Sequence, residues 1–156
     1  MKKIVIALDY NPTAQKVAEM GYSLAKAMSA EVTLIHVITD PVYYSSMAYS
    51  PIMGFSGYMD LNYSQSGIIN ELKKVSEDFL DQSKKHLADT NIKTQVKEGD
   101  IAETILEFAK ELQADIIVLG SHGQRWLEAI VMGSATKKVL HHTTIPLFII
   151  PTKKQN

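Results

Sequence analysis

No cysteine occurs among the 156 residues. That excludes a disulfide framework, a thiolate nucleophile, a cysteine zinc site and thiol redox chemistry, and it is compatible with a reducing compartment. Excess charge of one sign is missing too: 16 Lys and Arg face 17 Asp and Glu, a formal net charge of −1. With no basic surplus there is no general drive toward nucleic-acid phosphates or an anionic membrane, so neither is expected as a partner. No apolar run approaches the ~20 residues that span a bilayer. The opening Met1-Lys2-Lys3 is basic, but the apolar run Ile4–Leu8 behind it meets Asp9 and lacks a cleavage site, so it reads as a buried strand. A soluble, cytoplasmic protein is the expectation.

Several chemical signatures are absent as well. There is no Walker sequence and no Gly-x-Gly-x-x-Gly fingerprint. Gly120-Ser121-His122-Gly123 is not a nucleophile elbow, because Leu119 stands where a glycine is required. His86, His141 and His142 lack the helix-face spacing of a metal site.

What is present suits one domain, here residues 1–151 with a polar tail at 152–156. Strands covered by helices on both faces become continuously apolar, and Ile4–Leu8, Ile116–Leu119 and Leu147–Ile150 look like that. Val32–Val37 is mostly β-branched and apolar, while Ile92–Lys97 alternates as an edge strand would. Between these five lie segments of helical period. Asn11-Pro12 offers an N-cap and a proline at the first helical position, ahead of Val17, Met20, Gly21, Leu24 and Met28. Ile68, Leu72, Val75, Phe79 and Leu87 mark one face of a long second helix, and Asp100 with Glu103 caps a third. A fourth runs from Ser134 to His141-His142, where cations suit the helix dipole. The order β-α-β-α-β-α-β-α-β predicts a doubly wound, five-stranded parallel α/β sheet, Rossmann-like, with ligands at the carboxyl ends of its strands.

Residues 41–70 depart from that economy. They hold one charge, Asp60, with five of the seven tyrosines and three of the seven methionines. Disorder is usually charge-rich and aromatic-poor, so the segment is expected to pack on something. Either it folds over its own domain, or Tyr43, Tyr44, Met47, Tyr49, Met53, Phe55 and Tyr58 form a lid or a surface for a protein partner.

The chemistry is concentrated after the fourth strand, where Gly120-x2-Gly123-x9-Gly133-Ser134-Ala135-Thr136 opens the fourth helix. A phosphate site needs glycines for close backbone approach, unpaired N–H groups at a helix start and hydroxyls beside them. All are here, although two turn glycines and an N-cap serine would look the same locally. Asp9 likewise reads as a buried acceptor for a base or ribose, or as a cap for the first helix.

The long pattern, with Ile6-Ala7-Leu8-Asp9, Leu34-Ile35-His36-Val37, Asp115–Leu119, Gly99-Asp100 and Ile145-Pro146-Leu147, resembles the nucleotide-binding class of the universal stress protein family over nearly the whole chain. The resemblance implies the adenine nucleotide alpha hydrolase-like fold and ATP held across the strand ends, with Mg2+ or Mn2+. It places Ala7 in the site, Asp9 and the Val37 backbone at the adenine, and Leu119 and Gly120 at the ribose. Gly123, Gly133, Ser134, Ala135 and Thr136 fall at the phosphates, with His122 and Arg125 in reach. It also implies a homodimer through the last strand, Leu147, Phe148, Ile149 and Ile150, bracketed by Pro146 and Pro151. Two departures stand out: the tyrosine-rich insert, and Tyr10 behind Asp9, a bulky side chain expected to narrow the mouth or stack on a ligand. Arg125 and Trp126 would cover the site, or simply be solvated and anchor the loop. The leading reading is a regulatory ATP-binding protein. The alternatives are a slow ATPase or phosphotransferase at the same site, and an interaction module indifferent to nucleotide.

Overall fold

The computed structural model describes residues 1–39, 65–121 and 132–152. Strand and helix alternate along them: β1 (Lys3–Ala7), α1 (Ala14–Ala27), β2 (Glu31–Ile38), α2 (Gln65–Leu87), β3 (Lys93–Glu98), α3 (Ile101–Glu111), β4 (Ile116–Gly120), α4 (Ser134–His142) and β5 (Leu147–Ile150). The five strands form one parallel sheet in the order β3-β2-β1-β4-β5, the α/β architecture expected from the apolar runs.

Successive side chains of a strand point to opposite faces, and β1 feeds two cores in this way. Ile4 and Ile6 pack with Val17, Ala18, Leu72 and Leu80 beneath α1 and α2. Val5 packs with Ile105, Ala109 and Val139 beneath α3 and α4. Gly21 brings α1 close to the sheet, since a Cβ there would stand 2.8 Å from Ile6 Cδ1 and 3.0 Å from Val118 Cγ1. From β1 the chain winds outward through β2 to β3, then returns to β4 on the other side of β1. The carboxyl ends of β1 and β4 therefore border the crevice that such a reversal opens.

Three boundaries correct the sequence reading. α1 begins at Ala14 rather than Pro12, because Asn11 caps a turn instead of the helix. Its Oδ1 accepts the Thr13 N–H at 3.0 Å and its carbonyl accepts the Ala14 N–H at 2.9 Å. β3 runs from Lys93 to Glu98, one residue later than its apolar start suggested, with the buried Ile92 just ahead of it. α2 begins at Gln65, so the last six residues of the 41–70 segment are helical. Its tyrosines and methionines lie outside the described residues, as do 153–156. Asp100 caps α3 as expected, accepting the Glu103 N–H at 3.0 Å.

Candidate functional site

A cleft lies over the carboxyl ends of β1, β2 and β4, lined by Ala7, Asp9, Val37, Leu119, Gly120, Ala135 and Thr136 among others. Its volume is about 110 Å3, several times the ~10–15 Å3 that one water needs on the same measure.

Asp9 sits two residues beyond β1. Its Oδ1 accepts the Asn11 N–H at 3.0 Å, yet burial dominates and pushes its carboxyl up to about 6. A carboxylate held out of water in this way gains from any ligand that donates hydrogen bonds to it. Beside it, Leu8 keeps the sheet going for one more bond, from its N–H to the Ile35 carbonyl at 2.9 Å. The Leu8 carbonyl then turns to His36 Nδ1 at 2.7 Å. Backbone groups two residues apart on a strand face the same neighbour, so Val37 presents its N–H and C=O toward the line that β1 has left. No backbone bond joins it to the segment after β1. One donor and one acceptor thus face the cleft next to the Asp9 carboxyl.

His36 is 3 % exposed. Burial pulls its imidazole down to about 4, so the ring is neutral at pH 7. Its Nδ1–H serves Leu8, while Nε2 has no hydrogen-bond partner among the described residues. The ring packs against Tyr10 at 4.4 Å and Phe79 at 6.0 Å between centroids. This answers the question raised by Tyr10. Its side chain lies between α1 and α2 instead of at the mouth, with its hydroxyl on Ser76 and its ring against His36 and Phe79. The expectation that it narrows the cleft or stacks on a ligand is corrected: apolar contacts on the α2 side hold the ring better than the mouth would.

Across the cleft, β4 ends at Gly120, whose carbonyl accepts the Thr136 hydroxyl at 2.9 Å. Ser121 donates its N–H to Ile150 at 2.8 Å and accepts the Gly133 N–H at 2.7 Å. These bonds bring the end of β4 and the start of α4 together, so both ends of the long glycine pattern meet at one place. The first bond of α4 runs from the Lys137 N–H to the Gly133 carbonyl at 3.0 Å. The N–H groups of Ser134, Ala135 and Thr136 therefore have no acceptor within the helix, and the positive end of its dipole stands behind them. Ser134 is exposed and Ala135 half-buried. Thr136 is buried at 5 % exposure, its hydroxyl committed to Gly120. Lys138, one turn on, bridges Asp100 at 3.1 Å and Glu103 at 3.2 Å, tying α4 to α3.

The structure thus brings together Ala7, Asp9, Val37, Leu119, Gly120, Gly133, Ser134, Ala135 and Thr136. His122, Gly123, Arg125 and Trp126 lie outside the described residues. Leu147, Phe148 and Ile149 are half-buried on the edge strand β5, whereas Ile150 is 2 % exposed and faces the core. Among the described residues no three His, Cys, Asp or Glu side chains gather to hold a metal. Sequence reasoning missed the largely apolar walls: Thr13 just ahead of α1, Ala14 and Val17 from α1, Ile101 and Ile105 from α3, and Val139 from α4. Their helical period marked them as core, and nothing local distinguishes a wall from a core.

Comparison with known proteins agrees with the fold. The model of the universal stress protein family matches residues 1–151. Universal stress protein MJ0577 of Methanocaldococcus jannaschii is 30 % identical over 158 residues, covering 97 % of this chain and 96 % of that one. The solved structure of MJ0577 superposes with a TM-score of 0.76 at 25 % identity, covering 99 % and 98 % of the two chains. A universal stress protein solved in complex with cAMP superposes at 0.63, with 16 % identity and coverage of 97 % and 98 %. One from Archaeoglobus fulgidus in complex with dAMP superposes at 0.59, with 18 % identity and coverage of 96 % and 97 %.

Proposed function

The chain belongs to the universal stress protein family, and from that membership we propose that it is a regulatory module that binds an adenine nucleotide, ATP with Mg2+ or Mn2+, in the cleft over β1, β2 and β4. One juxtaposition carries the reading. A largely desolvated carboxyl and the Val37 backbone, which has no backbone bond to the segment after β1, stand at one end of the cleft, and a helix N-terminus whose first N–H groups have no acceptor within the helix stands beside the end of β4. The Watson–Crick edge of adenine offers an acceptor at N1 and a donor at N6. The Val37 N–H and C=O match that pair, and Asp9 accepts the second amino hydrogen. Guanine reverses both groups and would set like against like. Leu119 and Gly120 border the sugar, and the first-turn N–H groups of α4 take phosphate oxygens. A divalent ion would neutralise charge on those phosphates, and the Ser134 hydroxyl would be available to it; Thr136 would contribute its N–H, since its hydroxyl holds Gly120. The two relatives solved with cAMP and dAMP support an adenine nucleotide as the ligand class.

Calorimetric titration of the nucleotide-stripped protein with Mg-ATP and Mg-GTP tests the proposal. ATP binds in preference to GTP, and Ser134→Glu, which sets a carboxylate among the phosphate donors, weakens ATP at least about tenfold by like-charge repulsion. No heat with any adenine nucleotide at millimolar concentration overturns it. The proposal includes a homodimer through β5, whose outer edge and half-exposed Leu147, Phe148 and Ile149 pair with a second copy. A stable monomer in sedimentation at micromolar concentration rejects that part.

A further inference from the structure

Gln15 and Glu19 stand one turn apart on α1, and His86 lies in the last turn of α2. Their polar ends form a triangle. His86 Nε2 is 2.7 Å from Glu19 Oε1 and 2.9 Å from the Gln15 amide, which is 3.0 Å from the same Glu19 oxygen. No placement of protons satisfies all three contacts. With a hydrogen on Nε2, the imidazole donates to Glu19 but meets the amide donor to donor. Without one, it accepts from the amide but faces the carboxylate acceptor to acceptor. Turning the amide to present its oxygen sets that oxygen against the carboxylate instead. At its half-exposed position Glu19 is an ordinary carboxylate at neutral pH, so these are the arrangements open to the triangle.

We propose that Gln15, Glu19 and His86 form a binding site for a divalent transition-metal ion of the Zn2+ class, with the Gln15 amide oxygen, Glu19 Oε1 and His86 Nε2 as ligands. A cation resolves the conflict, since every ligand then acts as a lone-pair donor to one centre. The spacing suits a six-coordinate ion: ligands at about 2.1 Å and right angles are about 3.0 Å apart, and the edges of 2.7, 2.9 and 3.0 Å, with the turned amide placing its oxygen where Nε2 stands, trace one face of an octahedron. Water fills the opposite face. An imidazole nitrogen among the ligands selects Zn2+, Ni2+ or Co2+ over Mg2+ and Ca2+, which prefer oxygen alone. The Glu19 and His86 side chains are each 49 % exposed, so an ion enters directly from solvent.

The site is distinct from the nucleotide cleft, which none of the three residues lines. It sits on the rim of a second groove between α1 and α2, lined by Tyr10, Gln15, Phe79, Ser83 and His86. A bound ion clasps α2 to α1, and α2 is the helix that emerges from the 40–64 segment and holds Tyr10 through Ser76. Metal in this clasp stabilises the helix pair by mass action. Helical spacing alone hid the site, because its histidine lies 67 residues from its carboxylate and its third ligand is an amide.

Zinc chloride titrated calorimetrically into the EDTA-treated, nucleotide-free full chain tests the proposal. One ion binds per chain and raises Tm. His86→Ala and Glu19→Gln each weaken it at least about tenfold, since even loss of an outer-shell partner costs about 10–100-fold. The double variant His141→Ala/His142→Ala binds as the wild type does. The substituted side chains are half exposed, and melting in EDTA verifies that each variant is folded. No zinc binding, equal affinity in His86→Ala, or loss only in the His141/His142 variant overturns the assignment.

Discussion

Replacing Asp9 by asparagine removes a buried charge without removing an acceptor, since the amide oxygen can still receive the Asn11 N–H. The unfolded chain releases the Asp9 proton near 3.8 and the folded chain near 6. Between those values the folded state holds more protons, so this group lowers stability as pH rises. The penalty is absent below 3.8 and complete above 6. At about 1.4 kcal/mol per tenfold it amounts to about 3 kcal/mol at pH 8. His36 has the opposite sign. Its folded imidazole titrates near 4 against 6.5 unfolded, so stability present above 6.5 is lost as pH falls toward 4, again by about 3 kcal/mol. In the wild type the two nearly cancel across that window, and Asp9→Asn uncovers the histidine. In urea unfolding at pH 8 the variant is more stable by about 2–3 kcal/mol, with Tm higher on the order of 5–10 °C. That margin shrinks on acidification and is gone at pH 4, while the variant's own stability falls steeply between pH 6.5 and 4. A variant no more stable than wild type at pH 8, or a margin independent of pH, refutes the reasoning. The excess stability would show that the carboxylate is kept in the cleft against the interest of the fold, as expected of a group that meets a ligand.

The same trade separates binding from folding at α4. Ser134→Glu, which weakens Mg-ATP in calorimetry, leaves Tm unchanged or raises it, because a carboxylate in the first turn is favoured by the helix dipole by about 0.3–1 kcal/mol. Gly99 has φ +139°, and a Cβ there would lie 2.8 Å from Thr104 Oγ1. Gly99→Ala therefore lowers stability by about 1–3 kcal/mol in denaturant titration. Gly21→Val forces methyl groups against Ile6 and Val118 and costs about 1–3 kcal/mol by overpacking, read in the same assay. Tyr10→Phe removes the bond to Ser76, whose hydroxyl keeps the Leu72 carbonyl at 2.7 Å. The loss is about 1 kcal/mol, visible as a small fall in Tm, with nucleotide affinity unaltered because the ring lies outside the cleft.

The alternation of apolar runs and helical periods carried the architecture because both are local: a strand buried on both faces must be apolar throughout, and a helix on a sheet must repeat its apolar stripe. The cap at Asp100 and the start of α4 at Ser134 were legible for the same reason. Pro12 misled because proline suits a turn interior as well as a first helical position, and only the two bonds of Asn11 choose between them. The first helical residues of α2, 65–67, were hidden ahead of Ile68 by Gly67 and by a composition continuous with the segment before them.

By itself, the sequence determined the elements and the glycine-and-hydroxyl pattern that opens α4, since each depends on contacts within about one turn or one strand, and their alternation implied the parallel winding. Only the tertiary structure decided which apolar residues wall the cleft, that Tyr10 packs beneath α2, that Thr136 holds Gly120, and that His86 meets Gln15 and Glu19. Burial, pKa and ligand geometry depend on groups brought together from distant parts of the chain, and no window of sequence contains them.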